Sequence, residues 1–375
     1  MSDFSADVAS FAGAVAVAPP AVLPVLGHHA RQQRLDGLAA QLADLQTWLA
    51  DDLNAVESAL RTPQGTTLAE RAGRHLLQAG GKRIRPLCTL LAGRIGGGAS
   101  PRSVRDLAIA VELVHNATLL HDDVVDLADT RRGRPTARAL HGNEVSIFAG
   151  DWVLVAALRR IVGSGFPALV DSALDTLDAM IAAEVEQSQR ARVLAADVEG
   201  YFRVAEGKTA ALFRWAMRAG ATAAGLSDDC RVGLQTFGGE LGLAFQITDD
   251  AIDLDGDPAA TGKALFADLC EGKVTLPLAL ALNLRPALRD QLLELRATVD
   301  GATAGTFVHN DEGPGTAALC AGIARAVSDC GALEAARAEA RARCERALAA
   351  LQVVRPCPER EALRAVAGAL VRRRA

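Results

Sequence analysis

The fold is indicated first by residues 103–127, which read SVRDLAIAVELVHNATLLHDDVVDL. The stretch is dominated by Ala, Leu, Ile and Val, contains no proline or glycine, and is long enough for about seven helical turns. A helix that is apolar on most of its surface must pack against other helices. The stretch therefore predicts a buried helix of an all-α protein, with acidic side chains at its C-terminal end.

These acidic residues have the spacing DDxxD, and the same spacing recurs later in the chain. The two sets are Asp122, Asp123 and Asp126, and Asp249, Asp250 and Asp253. Residues four apart share a helix face, where like charges repel unless cations compensate. A single set could equally be a solvated helix face or helix end. Two copies on apolar helices favour a site for divalent cations such as Mg²⁺, which prefers carboxylate oxygen.

Helical patterns cover most of the remaining chain. Helices are predicted over 34–61, 84–95, 145–163, 167–192, 197–224, 228–254, 274–284, 332–351 and 359–373. A further helix is predicted between the first two of these and ends at about residue 79. Residues 255–272 are predicted to be a functional loop and residues 298–316 an exposed connection. No segment alternates as a strand would, and no linker separates two cores. We therefore predict one large helical bundle over residues 33–375, preceded by a flexible tail over residues 1–32.

Composition excludes several classes of protein. The formal net charge of −5 argues against a nucleic-acid partner. Seven cysteines without a CxxC pair predict reduced thiols in a cytoplasmic protein. The first 30 residues lack the basic residues of secretory or mitochondrial targeting segments. Arg372 to Arg374 would support peripheral membrane contact at most, and a solvated helix end is the simpler interpretation.

Basic residues concentrate near the acidic sets along the sequence. The segment GGKRIRP, residues 80–86, combines a glycine turn with three cations at a predicted helix start, which favours anion binding. Arg131 and Arg132 follow the first acidic set, and Lys263 and Lys273 follow the second. Guanidinium and ammonium groups together could hold two diphosphates.

Six ordered blocks of sequence resemble the trans-isoprenyl diphosphate synthases, also called polyprenyl synthetases. The blocks are GGKRIRP at 80–86, LLHDDVVDLADTRRGRPT at 119–136, GD at 150–151, GKT at 207–209, FQITDDAID at 245–253 and GKALFADLCEGKVTLPL at 262–278. The likeness is greatest to the long-chain bacterial members. It implies a helical bundle of the isoprenoid synthase type around a central cavity, a homodimer, and condensation of isopentenyl diphosphate with an allylic diphosphate.

The resemblance also implies a role for each motif. The six aspartates would hold three Mg²⁺ ions on the allylic diphosphate. The isopentenyl diphosphate site would consist of Lys82, Arg85, His115 and Arg132. The allylic diphosphate site would consist of Arg131, Lys208, Thr209, Gln246, Lys263 and Lys273. Among these residues the six aspartates, Arg131, Lys208 and Lys263 would also assist departure of the diphosphate, as preorganised electrostatic stabilisation.

Product length is predicted from the helix before the first acidic set. Ala117 lies five residues before Asp122, about 7.5 Å away along the helix axis. In short-chain members of the family a bulky aromatic residue often blocks the tunnel there, whereas Ala117, Thr118 and Val114 are small or medium in size. We predict a deep tunnel and a long, octaprenyl-like product, with Val155, Leu158 and Val162 on the facing wall.

Three alternatives remain at this stage. A farnesyl or geranylgeranyl diphosphate synthase would have the same motifs and a blocked tunnel. A non-catalytic subunit of a heteromeric synthase would usually lack some of the carboxylates or cations. A terpene cyclase normally has Asn/Asp, Ser/Thr and Glu in its second metal motif, so the second DDxxD argues against it.

Overall fold

The computed structural model describes residues 22–61, 67–97, 100–256, 265–303 and 314–373. The predicted all-α class is confirmed. The helices are α1 (Val22–Gln32), α2 (Asp36–Trp48), α3 (Ala50–Arg61), α4 (Leu68–Gln78), α5 (Ile84–Arg94), α6 (Arg102–Val125), α7 (Ala137–His141), α8 (Asn143–Gly163), α9 (Pro167–Val193), α10 (Val198–Ala205), α11 (Ala211–Ala223), α12 (Asp228–Asp255), α13 (Ala267–Cys270), α14 (Leu276–Leu284), α15 (Leu288–Thr303), α16 (Pro314–Asp329), α17 (Ala332–Ala350) and α18 (Pro358–Val371). A 3₁₀ turn, Leu351–Val353, follows α17.

The two helices that carry the acidic sets run through the interior. Helix α6 packs against α5, α8 and α11, and α12 packs against α11, α17 and α18. Helix α11 therefore lies against both. Close packing depends on small residues: a Cβ at Gly220 of α11 would lie 2.3 Å from the carbonyl oxygen of Thr89 in α5. Burial on several sides explains why both helices present long runs of buried apolar and small residues, such as Leu107–Val111 in α6 and Leu241–Ala244 in α12.

Two short β-strands occur although no strand was predicted from the sequence. Strand β1 (Thr130–Arg131) pairs antiparallel with β2 (Arg134–Pro135), and Arg132 and Gly133 form the turn with positive φ. The pair is too short to show the alternating pattern of a strand in the sequence. It turns the chain back on itself directly after the first acidic set.

The N-terminal prediction is wrong for residues 22–32. These residues form α1, which packs against α2 and α18 and buries Leu23, Leu26 and Ala30 in the core. Burial of apolar side chains compensates the conformational entropy that a free tail would retain. The remainder of the predicted tail, residues 1–21, lies outside the described residues.

Two further predicted boundaries differ in the structure. The single helix over 34–61 is divided at Leu49 into α2 and α3; the apolar spacing continues across the break and therefore could not reveal it. The predicted connection over 298–316 includes the end of α15 and the start of α16. Leu292 and Leu295 of α15 pack with Ile323 of α16, so tertiary packing outweighs the weak helix propensity of Gly and Thr.

The segment predicted as one helix over 197–224 contains a π-helical turn at Glu206–Ala210, between α10 and α11. This turn contains Lys208 and Thr209. Single π turns inside α-helices are frequent at functional sites.

Among the described residues, no single helix has both the length and the apolarity to cross a bilayer. The helices Gly315–Asp329 and Ala332–Val353, bent by 66° at their junction, meet these limits only when taken together.

Candidate functional site

The first acidic set lies at the C-terminal end of α6, where the β1–β2 pair folds back onto it. Asp123 is 1% exposed, and its Oδ1 accepts a hydrogen bond of 2.6 Å from Nε of Arg131. In the part of the chain that the structure describes, Oδ2 of Asp123 is buried and has no hydrogen-bond partner. Burial raises the pKa of Asp123, although Arg131 opposes this shift. One carboxylate oxygen is thus fixed by the protein and the other remains available to a ligand.

The second acidic set lies near the C-terminal end of α12. Asp250 is 2% exposed and accepts hydrogen bonds from the Tyr201 hydroxyl at 2.6 Å and from Nε2 of Gln246 at 2.7 Å. Burial and the neighbouring Asp268 raise the pKa of Asp250 to about 7. Oδ2 of Asp253 accepts from the backbone N–H of Asp268 at 3.3 Å, which ties α13 to α12.

Two lysines connect the elements around the acidic sets. Nζ of Lys273, which follows α13, lies 2.9 Å from Oδ2 of Asp126 and also pairs with Glu271. Nζ of Lys208 lies 2.6 Å from Oε1 of Glu184 and 2.8 Å from Oε1 of Gln187, both on α9. Each lysine is therefore held beside the site by acidic or amide oxygens.

Both lysines are close enough to Asp122 to affect the pKa of its carboxyl group. Burial raises the pKa of Asp122 to about 6; Lys208 and Lys273 oppose this shift, while Glu184 and Asp126 increase it. A half-open cavity adjoins these groups and is lined by Lys208, Thr209, Gln246, Asp250, Asp268 and Lys273, among others. The structure thus brings four predicted allylic diphosphate residues to one cavity: Lys208 and Thr209 of the π-helical turn, Gln246 of α12 and Lys273 after α13. Arg131 is not among the residues that line this cavity.

Two of the predicted isopentenyl diphosphate residues, Arg85 and Arg132, lie close to a third, His115 of α6. Burial, together with Arg85, Arg132 and Arg131, lowers the pKa of His115 well below its usual value, so the ring is neutral. The Arg85 guanidinium lies 4.6 Å from the centre of the Phe213 ring. Lys82 is exposed just before α5. The four predicted residues therefore lie just before α5, on α5, on α6 and in the β1–β2 turn.

Gly81 explains part of this arrangement. A Cβ at this position would lie 3.1 Å from both terminal nitrogens of Arg132 and 3.2 Å from Nη1 of Arg83. Arg83 itself pairs with Glu112 at 2.7 Å and with Glu57 at 3.0 Å. The glycine therefore gives the Arg132 guanidinium room to lie against the backbone, while Arg83 has a structural role.

Comparison with known proteins agrees with the sequence motifs. The sequence model of the family described as polyprenyl synthetase matches residues 66–304, more than half of the chain. The chain belongs to the polyprenyl synthetase family. Membership of this family identifies it as a prenyltransferase.

This polyprenyl synthetase is similar to two named relatives and to one solved structure. The chain is 34% identical to octaprenyl diphosphate synthase of Escherichia coli over 326 residues, which cover 86% of this chain and 96% of the relative. It is 38% identical to heptaprenyl diphosphate synthase component 2 of Geobacillus stearothermophilus, over 65% of this chain and 76% of the relative. The crystal structure of a polyprenyl synthase from Caulobacter crescentus, complexed with calcium and isoprenyl diphosphate, is similar with a TM-score of 0.79 at 32% identity, covering 88% and 97% of the two chains.

The predicted chain-length residues lie on α6 below the first acidic set of this polyprenyl synthetase. Ala117 and Val114 are buried, and the Thr118 hydroxyl donates to the carbonyl oxygen of His115 at 2.8 Å. The predicted facing wall is wrong in part, because Val155 and Val162 are exposed on the outer side of α8. The residues of α8 that are buried in the cluster containing Ala117 are Ala149, Val153, Ala157 and Ile161.

His121 and the GD motif have a packing role. A Cβ at Gly150 would lie 2.3 Å from Nε2 of His121, so α6 and α8 can approach only with glycine at this position. Nε2 of His121 lies 3.3 Å from Oδ1 of Asp151. The side chain is therefore directed towards α8.

Several residues near the site were not predicted from the sequence. Tyr201 contacts Asp250, Glu184 and Gln187 hold Lys208, and Arg373 pairs with Asp249 at 3.0 Å. Tyr201 is the only tyrosine in the chain and lies seven residues before Lys208. The occurrence of a single tyrosine so close to Lys208 was the only feature of the sequence that could have indicated a role for Tyr201.

Lys263, a predicted allylic-site residue, lies outside the described residues.

The donor set fits Mg²⁺ that is shared with a substrate. Among the residues that the structure describes, no three His, Cys, Asp or Glu side chains converge closely enough to hold a metal ion by themselves. Mg²⁺ usually binds one or two carboxylates together with waters and substrate phosphates, so a closed protein cage is not required. A bound cation would give the Oδ2 of Asp123 a partner and would lower the raised pKa values of Asp122 and Asp250.

Proposed function

We propose that this polyprenyl synthetase is a trans-polyprenyl diphosphate synthase that adds isopentenyl diphosphate head to tail to an allylic diphosphate and makes a long product. The observation that carries the proposal is the contact between Lys273 and Asp126. It joins the segment after the second acidic set to the first set, and Lys273 also lines the cavity together with Lys208, Asp250 and Asp268. Such an arrangement suits diphosphates bridged by divalent cations.

The proposed allylic diphosphate site contains cations and neutral donors from four parts of the chain. We assign to it Arg131, Lys208, Thr209, Gln246, Lys263 and Lys273. Arg131 and Lys273 are held by Asp123 and Asp126. These ion pairs fix the positive charges before substrate arrives, which reduces the reorganisation needed as charge develops on the leaving diphosphate.

Mg²⁺ would be held by the six aspartates, with three ions per site as in the family resemblance. When bound, the ions neutralise the charge that accumulates on the departing diphosphate. The residues of the acidic sets are Asp122, Asp123, Asp126, Asp249, Asp250 and Asp253. In this proposal they bind the ions, while Arg131, Lys208 and Lys263 bind phosphate oxygens directly.

Isopentenyl diphosphate would bind to Lys82, Arg85, His115 and Arg132. Because His115 is neutral, its ring can donate one hydrogen bond without adding charge to the neighbouring guanidinium groups of Arg85 and Arg132. The allylic carbon–oxygen bond breaks, a carbon–carbon bond forms to the double bond of isopentenyl diphosphate, and a proton is lost. We assign no protein side chain as the base; the released diphosphate can accept this proton.

Product length depends in this proposal on the space below the first acidic set. Ala117, Thr118 and Val114 present no aromatic side chain on α6. The residues of the facing helix α8 that are buried in the cluster containing Ala117 are Ala, Val and Ile. A chain of apolar product can therefore extend away from the acidic sets. The names of the relatives from Escherichia coli and Geobacillus stearothermophilus, with eight and seven isoprene units, support a long product.

The test uses the purified single chain with Mg²⁺, farnesyl diphosphate and isopentenyl diphosphate, followed by chromatography of the products. We expect diphosphates well beyond 20 carbons. Asp122→Asn and Asp249→Asn should lower the rate at least 100-fold, and Asp175→Asn, at an exposed position on α9, should not. Growth that stops at 20 carbons would support a short-chain synthase. No product from the single chain, with either farnesyl or geranyl diphosphate as primer, would support a non-catalytic subunit.

The proposed quaternary structure is a homodimer through an apolar face of α8 and α9. Phe148, Val155 and Val162 lie seven residues apart on α8, are 61%, 48% and 62% exposed, and form one stripe. Ile181 and Val185 extend exposed apolar surface onto α9. We propose a second copy of this chain as the partner and the cytoplasm as the location. The relative named as a component 2 favours a heteromer as the alternative.

A further inference from the structure

The only tyrosine of the chain is buried against the second acidic set. Tyr201 lies on α10 and is 7% exposed, and its hydroxyl donates a hydrogen bond of 2.6 Å to Oδ2 of Asp250 on α12. We propose that Tyr201 is a positioning residue that holds the Asp250 carboxylate in the orientation that binds a divalent cation. The proposal rests on the assignment of Asp250 as a metal ligand in the proposed function.

Asp250 is held at both oxygens. Its Oδ1 accepts from Nε2 of Gln246, one turn earlier on α12, at 2.7 Å, and its Oδ2 accepts from Tyr201. A carboxylate oxygen can accept two hydrogen bonds or one hydrogen bond and a cation. The two protein donors therefore fix the plane of the carboxylate and leave one lone pair on each oxygen. Asp250 also lines the cavity, so these lone pairs are within reach of a ligand there.

Gln246 is itself fixed by the segment that contains the predicted allylic diphosphate residues. Oγ1 of Thr209, in the π-helical turn, donates to Oε1 of Gln246 at 2.7 Å. This contact directs the amide nitrogen of Gln246 to Asp250. Thr209, Gln246, Asp250 and Tyr201 therefore form a continuous series of hydrogen bonds that begins beside Lys208.

A purely structural role would require only that the buried hydroxyl finds some acceptor. The acceptor here is a carboxylate that lines the cavity, close to a second carboxylate, Asp268. The Tyr201 hydroxyl is the donor in this 2.6 Å hydrogen bond, because an ionised carboxylate can only accept. Donors to an ionised carboxylate stabilise its charged form, the form that binds cations. Partners of this kind typically change metal affinity by 10- to 100-fold.

The first experiment measures Mn²⁺ binding in the presence of pyrophosphate, by electron paramagnetic resonance of free Mn²⁺. Tyr201→Phe removes one oxygen and keeps the ring. We expect it to weaken Mn²⁺ binding by about 10-fold or more. The Mg²⁺ concentration for half-maximal rate should rise similarly, and the rate at saturating Mg²⁺ should be largely retained.

Ser172→Ala is the matched control. The Ser172 hydroxyl accepts a buried hydrogen bond from Nε1 of Trp215 at 3.2 Å and is not part of the cavity lining. Its loss should lower the melting temperature without changing the Mn²⁺ midpoint. If Tyr201→Phe behaves in the same way, Tyr201 is structural and the proposal is overturned. If wild-type protein binds no Mn²⁺ with pyrophosphate, the proposed metal site itself fails, a result distinct from failure of Tyr201 alone.

A second measurement needs no substitution. Because the chain has one tyrosine, labelling tyrosine with ¹³C at the ring carbon that bears the hydroxyl gives a single resonance for Tyr201. We expect Mg²⁺ with pyrophosphate to shift this resonance, because cation binding to Asp250 withdraws charge from the acceptor of the hydroxyl. Mg²⁺ alone at the same concentration should shift it less. A resonance that does not move under conditions where Mn²⁺ binds would overturn the proposal.

Discussion

Nη2 of Arg373 lies 3.0 Å from Oδ1 of Asp249, so the C-terminal end of the described chain pairs with the first aspartate of the second acidic set. Nε of Arg373 donates to the carbonyl oxygen of Leu370 at 3.0 Å, and the guanidinium lies 4.7 Å from the centre of the Phe245 ring. Arg373 is buried, whereas Asp249 is partly exposed. The Arg373 guanidinium therefore compensates the negative charge of Asp249, which is one of the predicted metal ligands.

Arg373→Ala should destabilise the protein without metal. Removal of one partner from a buried ion pair leaves an uncompensated charge, and partial exposure of Asp249 reduces the loss to about 1–3 kcal/mol of unfolding free energy. The difference from wild type should shrink when Mg²⁺ and pyrophosphate are added, since bound cations then compensate Asp249. Differential scanning calorimetry measures both states. Arg372→Ala, at the exposed neighbouring residue, should have little effect. Equal effects of the two variants would contradict the prediction.

The ion pair of Arg373 shows what the sequence could not provide. The order of motifs was sufficient to predict the all-α class, the family and the positions of both acidic helices, because short motifs and helical periodicity are local features. Arg373 and Asp249 are 124 residues apart. Contacts of this kind, and the burial of Tyr201 against Asp250, depend on how α10, α12 and α18 pack. The spacing of residues along one chain segment contains no information about that packing.

Gly81→Ala should weaken binding of isopentenyl diphosphate. The added methyl group would lie 3.1 Å from both terminal nitrogens of Arg132 and would force the guanidinium to move. We expect KM for isopentenyl diphosphate to rise about 10-fold, the effect of losing roughly one charge-assisted hydrogen bond. KM for the allylic substrate should change little. Gly322→Ala on α16, where a Cβ meets nothing within 4 Å, is the control. A proportional change in both KM values would argue against this role of Gly81.

Ala117→Phe should shorten the product. The side chain at this position is directed into the protein below the first acidic set, and Ala117 is 2% exposed. A phenyl ring there would fill the space that we assign to the growing hydrocarbon. The product distribution is measured by chromatography after incubation with farnesyl and isopentenyl diphosphates. Ala117→Ser adds little volume and should keep the wild-type distribution. Unchanged chain length in active Ala117→Phe protein would refute the assignment of Ala117.

Val155→Asp should dissociate the proposed homodimer. A charge in the middle of the apolar stripe of α8 would have to be desolvated between two copies of the chain. Size-exclusion chromatography with light scattering should give a dimer mass for wild type and a monomer mass for the variant. Val232→Asp, at an exposed valine of α12, should leave the mass unchanged. A monomeric wild-type protein would disprove the homodimer.

Asp250 should make the metal-free protein less stable as pH rises. Its pKa is about 7 in the folded protein, above the ordinary value of 3.8, so the folded state binds the proton more tightly than the unfolded state. Its contribution is therefore favourable at about pH 4 and is lost as pH rises towards 7. Relative to Asp250→Asn, wild type should lose roughly 2–4 kcal/mol over this range. Urea unfolding in EDTA at several pH values measures the difference, and parallel curves for the two proteins would contradict it.

The sequence predicted some residues around the site better than others. The two DDxxD sets and the GKT motif were visible because each is contiguous. Val155 and Val162 of α8 were predicted to line the tunnel but are exposed. Both residues are as apolar as buried residues are. Only the packing of α8 against α6 and α4 determines which side of the helix is inside. A small number of exposed apolar residues on an amphipathic helix cannot be distinguished from core residues by composition.

The π-helical turn at Glu206–Ala210 has a geometric consequence for the site. In a regular α-helix, residues eight apart, such as Tyr201 and Thr209, differ in direction by about 80°. A π turn accommodates one additional residue, so the two behave like α-helical residues seven apart and diverge by only about 20°. Both side chains can then face α12, where their partners Asp250 and Gln246 lie one turn apart. The π-helical turn thus brings Tyr201 and Thr209 to the same side of the α10–α11 segment. From there Tyr201 contacts Asp250 and Thr209 contacts Gln246.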